Sequence, residues 1–598
     1  MLKIDPAFDA INVDGQNVES MRNQLTVWVK HIAVKAVKMR ECGNQSAMVD
    51  DFFLEGLVAS SNLANYDVQK LAELCAKADY VLQLVEYLET AENPEFQAET
   101  ESQINENLAN FPVLDDDAIA AMVAEFSEQF TLEDRKALLG EVAFGLHSTV
   151  LAGLRGVAYL TREAVRMGTV YDKRRTFEIA GLHTRIKELN PRKKLDKELR
   201  EKLTRDVEAI ERELNAWREQ ERVAIDGIVD VLAFLATDST DEDALIDALK
   251  KVGEVARVAY KNYEFGINAT YGVPEPKGVR TAPTAGPCVV FSGDDFDVLK
   301  KLLVRAEFNG INVWTRGDAL AAHAYPELRS PQLVGHYGGP RCDQNKDLGA
   351  FPGATLVTSG PFDEPTDDYY DYTLTTCKLR WDTVRPVGKM PNGSLDFSGL
   401  VQAAQDSGGY PKTRNGERIA VGFGGSQLPD LVEKAARAFR SGDLKRVFVL
   451  GGEDVPYADE NYFGQLAELF PLGNVALTFG DVKFRFNRKP APLTDSGLPR
   501  FVDMGRVSDM NATLRFAEEL NKELDRNPKN SPMTFFISLW SERSATAVLA
   551  ACSLGYEVFV GPYRPNVWTE QVANVLREKL GVKLVDDPQA DLSSIKSI

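Results

Sequence analysis

The chain changes period near residue 280, and that change limits its fold more than any other feature. Before it, apolar residues recur at helical spacing in Met21–Met39, Val68–Leu88, Ile119–Phe130 and Leu138–Met167. Across Tyr271–Pro287, glycine and proline punctuate the chain (YGVPEPKG, TAPTAGP). Beyond it, short β-branched runs alternate with helical stretches, the mark of βαβ units and parallel sheets. The sequence predicts an α plus α/β multidomain fold: a helical domain over 1–275, one α/β domain over 280–410 and a second over 411–598. The break between the last two falls in the loop-rich GGYPKTRNG. Thr90–Asp117, acidic and polar around Pro94 and Pro112, is the expected connector inside the helical part.

A charged insertion interrupts the helical part at about 182–224. Between Arg185 and Arg222, the residues Leu195, Leu199, Leu203, Val207, Ile210, Leu214 and Trp217 follow one another at spacings of three and four. They form one stripe of one helix among lysine, arginine and glutamate, and Pro191 precedes it where a helix can start. The expected structure is a helical hairpin arm. Its seam either packs on the chain's own helical domain or docks a partner protein or a second copy.

The formal net charge is −20, which argues against nucleic acid, because phosphate binding needs a basic surface. No apolar run is long enough to cross a bilayer, and the start lacks the apolar core of a signal peptide, so a cytoplasmic location is expected. The six cysteines, Cys42, Cys75, Cys288, Cys342, Cys377 and Cys552, form no C-x-x-C pair. That spacing supports neither a disulfide framework nor a four-thiolate cluster. The five histidines form no metal pair.

Five acids follow strand-like runs: Asp294 after PCVVFSG, Asp318 after INVWTRG, Glu453 after VFVLGG, Asp481 after VALTFG and Glu542 after FFISLWS. In open α/β sheets ligands bind at the carboxyl ends of strands, so these side chains are expected to converge. Converging carboxylates need cations, protons or a metal to offset their repulsion. Oxygen ligands suit Mg, Ca or Mn, or a carboxylate-bridged iron site that the lack of nearby histidine disfavours, so Asp294, Asp318, Glu453, Asp481 and Glu542 are the candidate metal ligands. Two rival roles are internal neutralisation by Arg316, Lys483, Arg485 and Arg543, and helix capping, which fits Asp294 and Asp318 best. The glycine-rich VGFGGSQL, LGGEDV and HYGGP are read as tight turns, and no G-x-S-x-G elbow is present.

The stretch CVVFSGDDFDVLKKLLVRAEFNGINVWTRGDALAAHAYPELRSPQLVGHYGG, with FPGATLVTSGP, VGFGG, FVLGG, KFRFN, GLPRFVDMG and SLWSE in that order, resembles the hybrid-cluster protein (prismane) family, distantly similar to carbon monoxide dehydrogenases. The resemblance covers about Leu138–Ile598 apart from the charged arm. It implies a helical N-terminal domain followed by two Rossmann-like α/β domains. It also implies an iron–sulfur–oxygen cluster, a cubane near the N-terminus, and hydroxylamine or nitric oxide reduction.

The ligand positions that the resemblance assigns carry other residues. Asp294 stands for the histidine of S-G-H-D and Asp318 for a glutamate. Cysteines are replaced at Pro361, Glu453, Asp481 and Val507. Glu542 is kept, Ser544 stands for a lysine, and the N-terminal cysteine motif is missing. Aspartate, glutamate, proline and valine do not substitute for thiolates, so no iron–sulfur cofactor and no hydroxylamine reductase activity are expected. The expectation is a cluster-free paralogue, a pseudoenzyme acting as a structural, regulatory or binding subunit. The alternatives are an enzyme with a carboxylate-bound divalent metal in the former cluster cavity, and a metal-free binder of a small molecule in the former substrate channel.

Overall fold

The computed structural model describes residues 3–4, 12–13, 16–61, 67–90, 106, 114–129, 132–190, 192–360, 362–379, 381, 383–471, 473–488, 494, 497–539 and 541–595. Most of the expected connector Thr90–Asp117 lies outside the described residues, as do Pro191 and Pro361.

Helices fill the described chain from Val18 to Tyr271. They are α1 (Val18–Glu41), α2 (Ala47–Ala59), α3 (Val68–Thr90), α4 (Asp116–Gln129), α5 (Leu132–Leu139), α6 (Glu141–Glu188), α7 (Lys194–Leu235) and α8 (Glu242–Tyr271). The helical spacing has a packing consequence: Met21, Leu25, Val29, Ile32, Ala36 and Met39 line one buried face of α1. No single described helix is long and apolar enough to cross a membrane.

Helix α6 has 48 residues and does two jobs. Its first half packs against α8 and against α10 (Glu542–Ser553) of the C-terminal part. Glycines permit that approach. A Cβ at Gly153 would lie 2.5 Å from Leu549, and one at Gly156 would lie 2.0 Å from Thr546 Oγ1 and 2.7 Å from the Glu542 carbonyl. The second half of α6 forms the hairpin with α7. Of the expected stripe, Leu203, Val207, Ile210, Leu214 and Trp217 are buried. Leu203 and Val207 pack with Ile179, Leu182 and Ile186 of α6, Ile210 and Leu214 with Tyr171, Ile179 and Leu182 of α6 and Phe265 and Ala269 of α8, and Trp217 stacks on Phe265, so this part of the seam is filled by the hairpin partner and by the chain's own helical domain. Leu195 and Leu199 remain exposed.

The rest of the chain builds two six-stranded parallel sheets. The first contains β1 (Cys288–Ser292), β2 (Asn312–Arg316), β3 (Leu333–His336), β4 (Ala354–Val357), β5 (Thr373–Thr375) and β6 (Arg385–Pro386). The second contains β7 (Arg446–Gly452), β8 (Asn474–Phe479), β9 (Phe501–Gly505), β10 (Met533–Ser538), β11 (Val558–Val560) and β12 (Val582–Leu584). The spatial orders are β3-β2-β1-β4-β5-β6 and β9-β8-β7-β10-β11-β12, and every neighbouring pair is parallel. Both are the doubly wound 3-2-1-4-5-6 arrangement, whose direction of winding reverses between the first and fourth strands. Strands β4, β8 and β10 are buried at every position, as both-sided burial of parallel strands requires. The two Rossmann-like units and the helical N-terminal part are therefore as expected.

Candidate functional site

Four of the five acids share a local device. Gly293, Gly317, Gly452 and Gly480 have φ of 130°, 58°, 101° and 73°, and each directly precedes an acid: Asp294, Asp318, Glu453 and Asp481. The turn ends the strand and aims the next side chain past the sheet edge. At the two switch points there is no room for a side chain on the turn. A Cβ at Gly293 would lie 2.3 Å from Thr358 Oγ1 beyond β4, and one at Gly452 would lie 2.4 Å from the Ser538 carbonyl on β10. Asp294 thus sits at the β1/β4 switch point and Glu453 at the β7/β10 switch point. Capping falls elsewhere: Asp295 is the N-cap of the next helix, α9 (Phe296–Asn309), and accepts from the amides of Asp297 and Val298. Asp294 is left free to face the interior, and Asp318 makes no capping bond.

Arg543, in the first turn of α10, joins the two switch points. Its Nη1 donates to Asp294 Oδ2 at 2.7 Å, and its Nη2 lies 2.6 Å from Glu453 Oε1. Its guanidinium lies 5.3 Å from the centre of the Tyr159 ring on α6. The Tyr159 hydroxyl donates to Asp294 Oδ2 at 2.9 Å, and the Ser359 hydroxyl donates to Asp294 Oδ1. Burial alone would raise the Asp294 pKa. Arg543, Ser359, Arg506 and Tyr159 outweigh it and hold that carboxyl at about 2. Burial likewise disfavours the Arg543 cation, but Glu453 and Asp294 overcome this and push its pKa well up.

Asp318 and Asp481 stand apart from that ion pair. Burial raises Asp318 to about 6; Arg543 opposes the rise, while Asp294 and Glu453 add to it. Its Oδ1 is buried without a hydrogen-bond partner. Asp481 is raised well above the carboxylate range by burial, and then by Asp318, Asp454 and Glu453. It accepts from the Asp454 amide. The other cations named from sequence go elsewhere. Lys483 donates to Asp503 Oδ2 at 2.8 Å, and Arg485 donates to both oxygens of Asp454 at 2.8 Å. Arg316 is buried, and its Nε and Nη2 have no hydrogen-bond partner.

A cavity of about 790 Å³ opens between the helical part and the two sheets. Asp294, Glu453 and Glu542 line it; Asp318 and Asp481 do not. Its helical wall holds Arg155, Tyr159, Arg162 and Arg166 of α6. Arg155 donates to Ser60 Oγ at 3.2 Å and Thr26 Oγ1 at 3.3 Å, and lies 4.0 Å from Glu542 Oε1. Cys377 brings a thiol to the cavity wall, pushed up in pKa by burial. Among the described residues, no three His, Cys, Asp or Glu gather as a metal site would require. Sequence reasoning did not find Tyr159, Ser359 and Arg155. Tyr159 and Arg155 sit inside a helical period and Ser359 follows a strand, so nothing local marked them. The G-[DE] pair at four of the five strand ends was the readable signal.

The Prismane/CO dehydrogenase family model matches residues 15–593. A hydroxylamine reductase of Burkholderia lata is 34% identical over 371 residues, spanning 62% of this chain and 66% of that protein. A hydroxylamine reductase of Actinobacillus succinogenes is 27% identical over 580 residues, 96% of this chain and 93% of that one. Among solved structures, carbon monoxide dehydrogenase IV from Carboxydothermus hydrogenoformans matches with a TM-score of 0.51 at 13% identity, covering 75% of this chain and 86% of its own. A carbon monoxide dehydrogenase from Thermococcus sp. AM4 matches with a TM-score of 0.52 at 13% identity, covering 75% and 84%. The structural matches speak to fold. The family match reaches well before Leu138, so the helical N-terminal part belongs to the same architecture.

Proposed function

The chain belongs to the prismane/CO dehydrogenase family, and we propose that it is a redox-silent member of it. In this reading it works in the cytoplasm as a structural, regulatory or binding subunit rather than as a hydroxylamine reductase. One observation carries the reading: the guanidinium of Arg543 lies between Asp294 and Glu453, where the two switch points meet. A cluster in that place needs thiolates and room. The donors there are carboxylates already compensated by a buried cation, and the cavity's thiol, Cys377, is held protonated by burial. This donor set does not fit an iron–sulfur cluster.

The cavity supports a more specific form of the same reading. About 790 Å³ is enough for a small metabolite, and the walls offer both charges and the rings of Tyr159, Tyr263 and Phe296. A metal-free binder would use these walls to orient a polar ligand. The metalloenzyme alternative requires Arg543 to yield its place to a divalent ion.

Metal and acid-labile sulfide analysis of protein purified without added metal, with an absorption spectrum of the same sample, separates the readings. The proposal expects neither metal nor sulfide and no visible absorbance. One or two metal equivalents without sulfide would favour the carboxylate centre. Iron with sulfide would overturn the proposal.

A further inference from the structure

We propose that the tip of the α6/α7 hairpin docks on a second copy of this chain, at the acidic loop Asp363–Asp371 beside the cavity mouth. The tip is strongly basic on an acidic protein. Between Arg185 and Arg205 there are nine lysines and arginines against four acids, a net +5. With −20 overall, the rest of the chain carries −25. Arg192, Lys193, Lys194, Lys197 and Arg200 are all exposed. The arm also keeps apolar side chains in water: Phe177 is 82% exposed, and Leu195, where the seam runs out at the tip, 76%. Scattered exposed apolar residues are ordinary, but Leu195 and Leu199 continue a buried stripe that loses its covering at the basic tip.

The loop offers the complement. Asp363, Glu364, Asp367, Asp368 and Asp371 fall within nine residues that contain no lysine or arginine. Glu364, Asp367, Asp368 and Asp371 are exposed, and Tyr372 beside them is an exposed ring. The loop leads out of the cavity, since Asp363 lines it and receives Arg341 Nη2 at 3.4 Å. Helix α6 runs on past the cavity residue Arg166 for a further 22 residues, about 33 Å at the helical rise, so the arm has the length to reach across to a neighbour. A two-fold pairing would use the contact twice, arm to loop and loop to arm. Glu188, Asp196, Glu198 and Glu201 sit among the bases, and these acids would be repelled by a uniform polyanion. That mixture favours a protein surface over a membrane or nucleic acid.

The test is sedimentation velocity of the full chain over a range of concentration and salt. The expected result is a dimer at 50 mM salt whose dissociation constant rises at least tenfold by 500 mM, as solvent-exposed charges are screened. The variants K193E/K194E/K197E and D367K/D368K should each weaken it at least tenfold, and the combination should restore it. A monomer at every concentration would overturn the proposal. So would a dimer indifferent to both charge sets. A monomer that binds phosphatidylserine vesicles through the same lysines would assign the tip to a membrane instead.

Discussion

Arg543 faces two carboxylates and a tyrosine ring, so a substitution that keeps an unbranched side chain but removes the guanidinium tests the electrostatic part. Arg543→Met leaves Asp294 and Glu453 buried and uncompensated. Breaking a buried pair in this way typically costs about 3–5 kcal/mol, and urea unfolding at pH 7 should read a loss of that size. Asp294 adds a pH signature. Its folded pKa of about 2 lies below the ordinary value of about 3.9. Its stabilisation is present above the unfolded value and is lost as pH falls from about 4 through 2. Arg543→Met should flatten that acid limb. Asp318 behaves with the opposite sign. Its folded pKa of about 6 is above the unfolded value, so its ionisation opposes folding increasingly from about pH 4 to 6 and fully above that. Asp318→Asn should therefore raise stability at pH 8 by on the order of 1–3 kcal/mol and leave it unchanged at pH 3.5, since no hydrogen bond to Oδ1 is lost. An equal effect at both pH values would show that charge is not the cause. Four of the five acids were legible because a strand run followed by glycine and acid is a local pattern, and Glu542 because it closes a strand run after a serine. Their neutraliser was narrowed to four cations by proximity in sequence. Choosing Arg543 among them depends on how two sheets and a helix meet, which no local pattern encodes.

Helix periods and strand runs carried most of the element scale. The hairpin was readable because a stripe of seven apolar residues among charges has one geometric solution, although its two tip leucines stay in water. The cap at β1 was not readable. Asp294 and Asp295 are adjacent and chemically identical, and only the Gly293 turn decides which one turns into the helix. Glycines inside α6 are the less visible half of this scale, since helix propensity alone counts them as defects. Gly168 lies under Trp217, with a Cβ there 1.8 Å from the indole. Gly168→Ala should push the ring out and loosen the base of the arm by about 1–3 kcal/mol. Hydrogen exchange should rise in 165–222 and stay unchanged in the sheets. Gly156→Ala presses instead on Thr546 and on the Glu542 backbone, so its disturbance should reach the cavity wall at α10. If the two variants gave the same exchange pattern, the division of α6 into an arm half and a cavity half would be wrong.

At the scale of the whole molecule, two doubly wound sheets present their switch points to one another and α6 closes the third side. That layout concentrates strand-end side chains in one place whatever their chemistry. The family resemblance made the layout legible, while the pairings across it depend on how the two sheets and α6 meet in three dimensions. Charge balance at the centre then decides how the molecule responds to metal. In this chain the balance is set by Arg543, which is covalently part of the fold and does not dissociate. Folding stability should therefore be independent of divalent ions. Dialysis against a chelator should leave the Tm within about one degree, whereas a structural metal would contribute folding free energy directly and its loss would lower the Tm. Arg543→Met changes the prediction. Asp294 and Glu453 then face each other without a cation, and an oxygen-preferring ion such as Mg or Mn has carboxylate donors available. Added metal should raise the Tm of the variant by several degrees, in proportion to the logarithm of its concentration, and leave the wild type unmoved. A chelator-sensitive wild type would mean that an ion, and not the guanidinium, balances these carboxylates in solution.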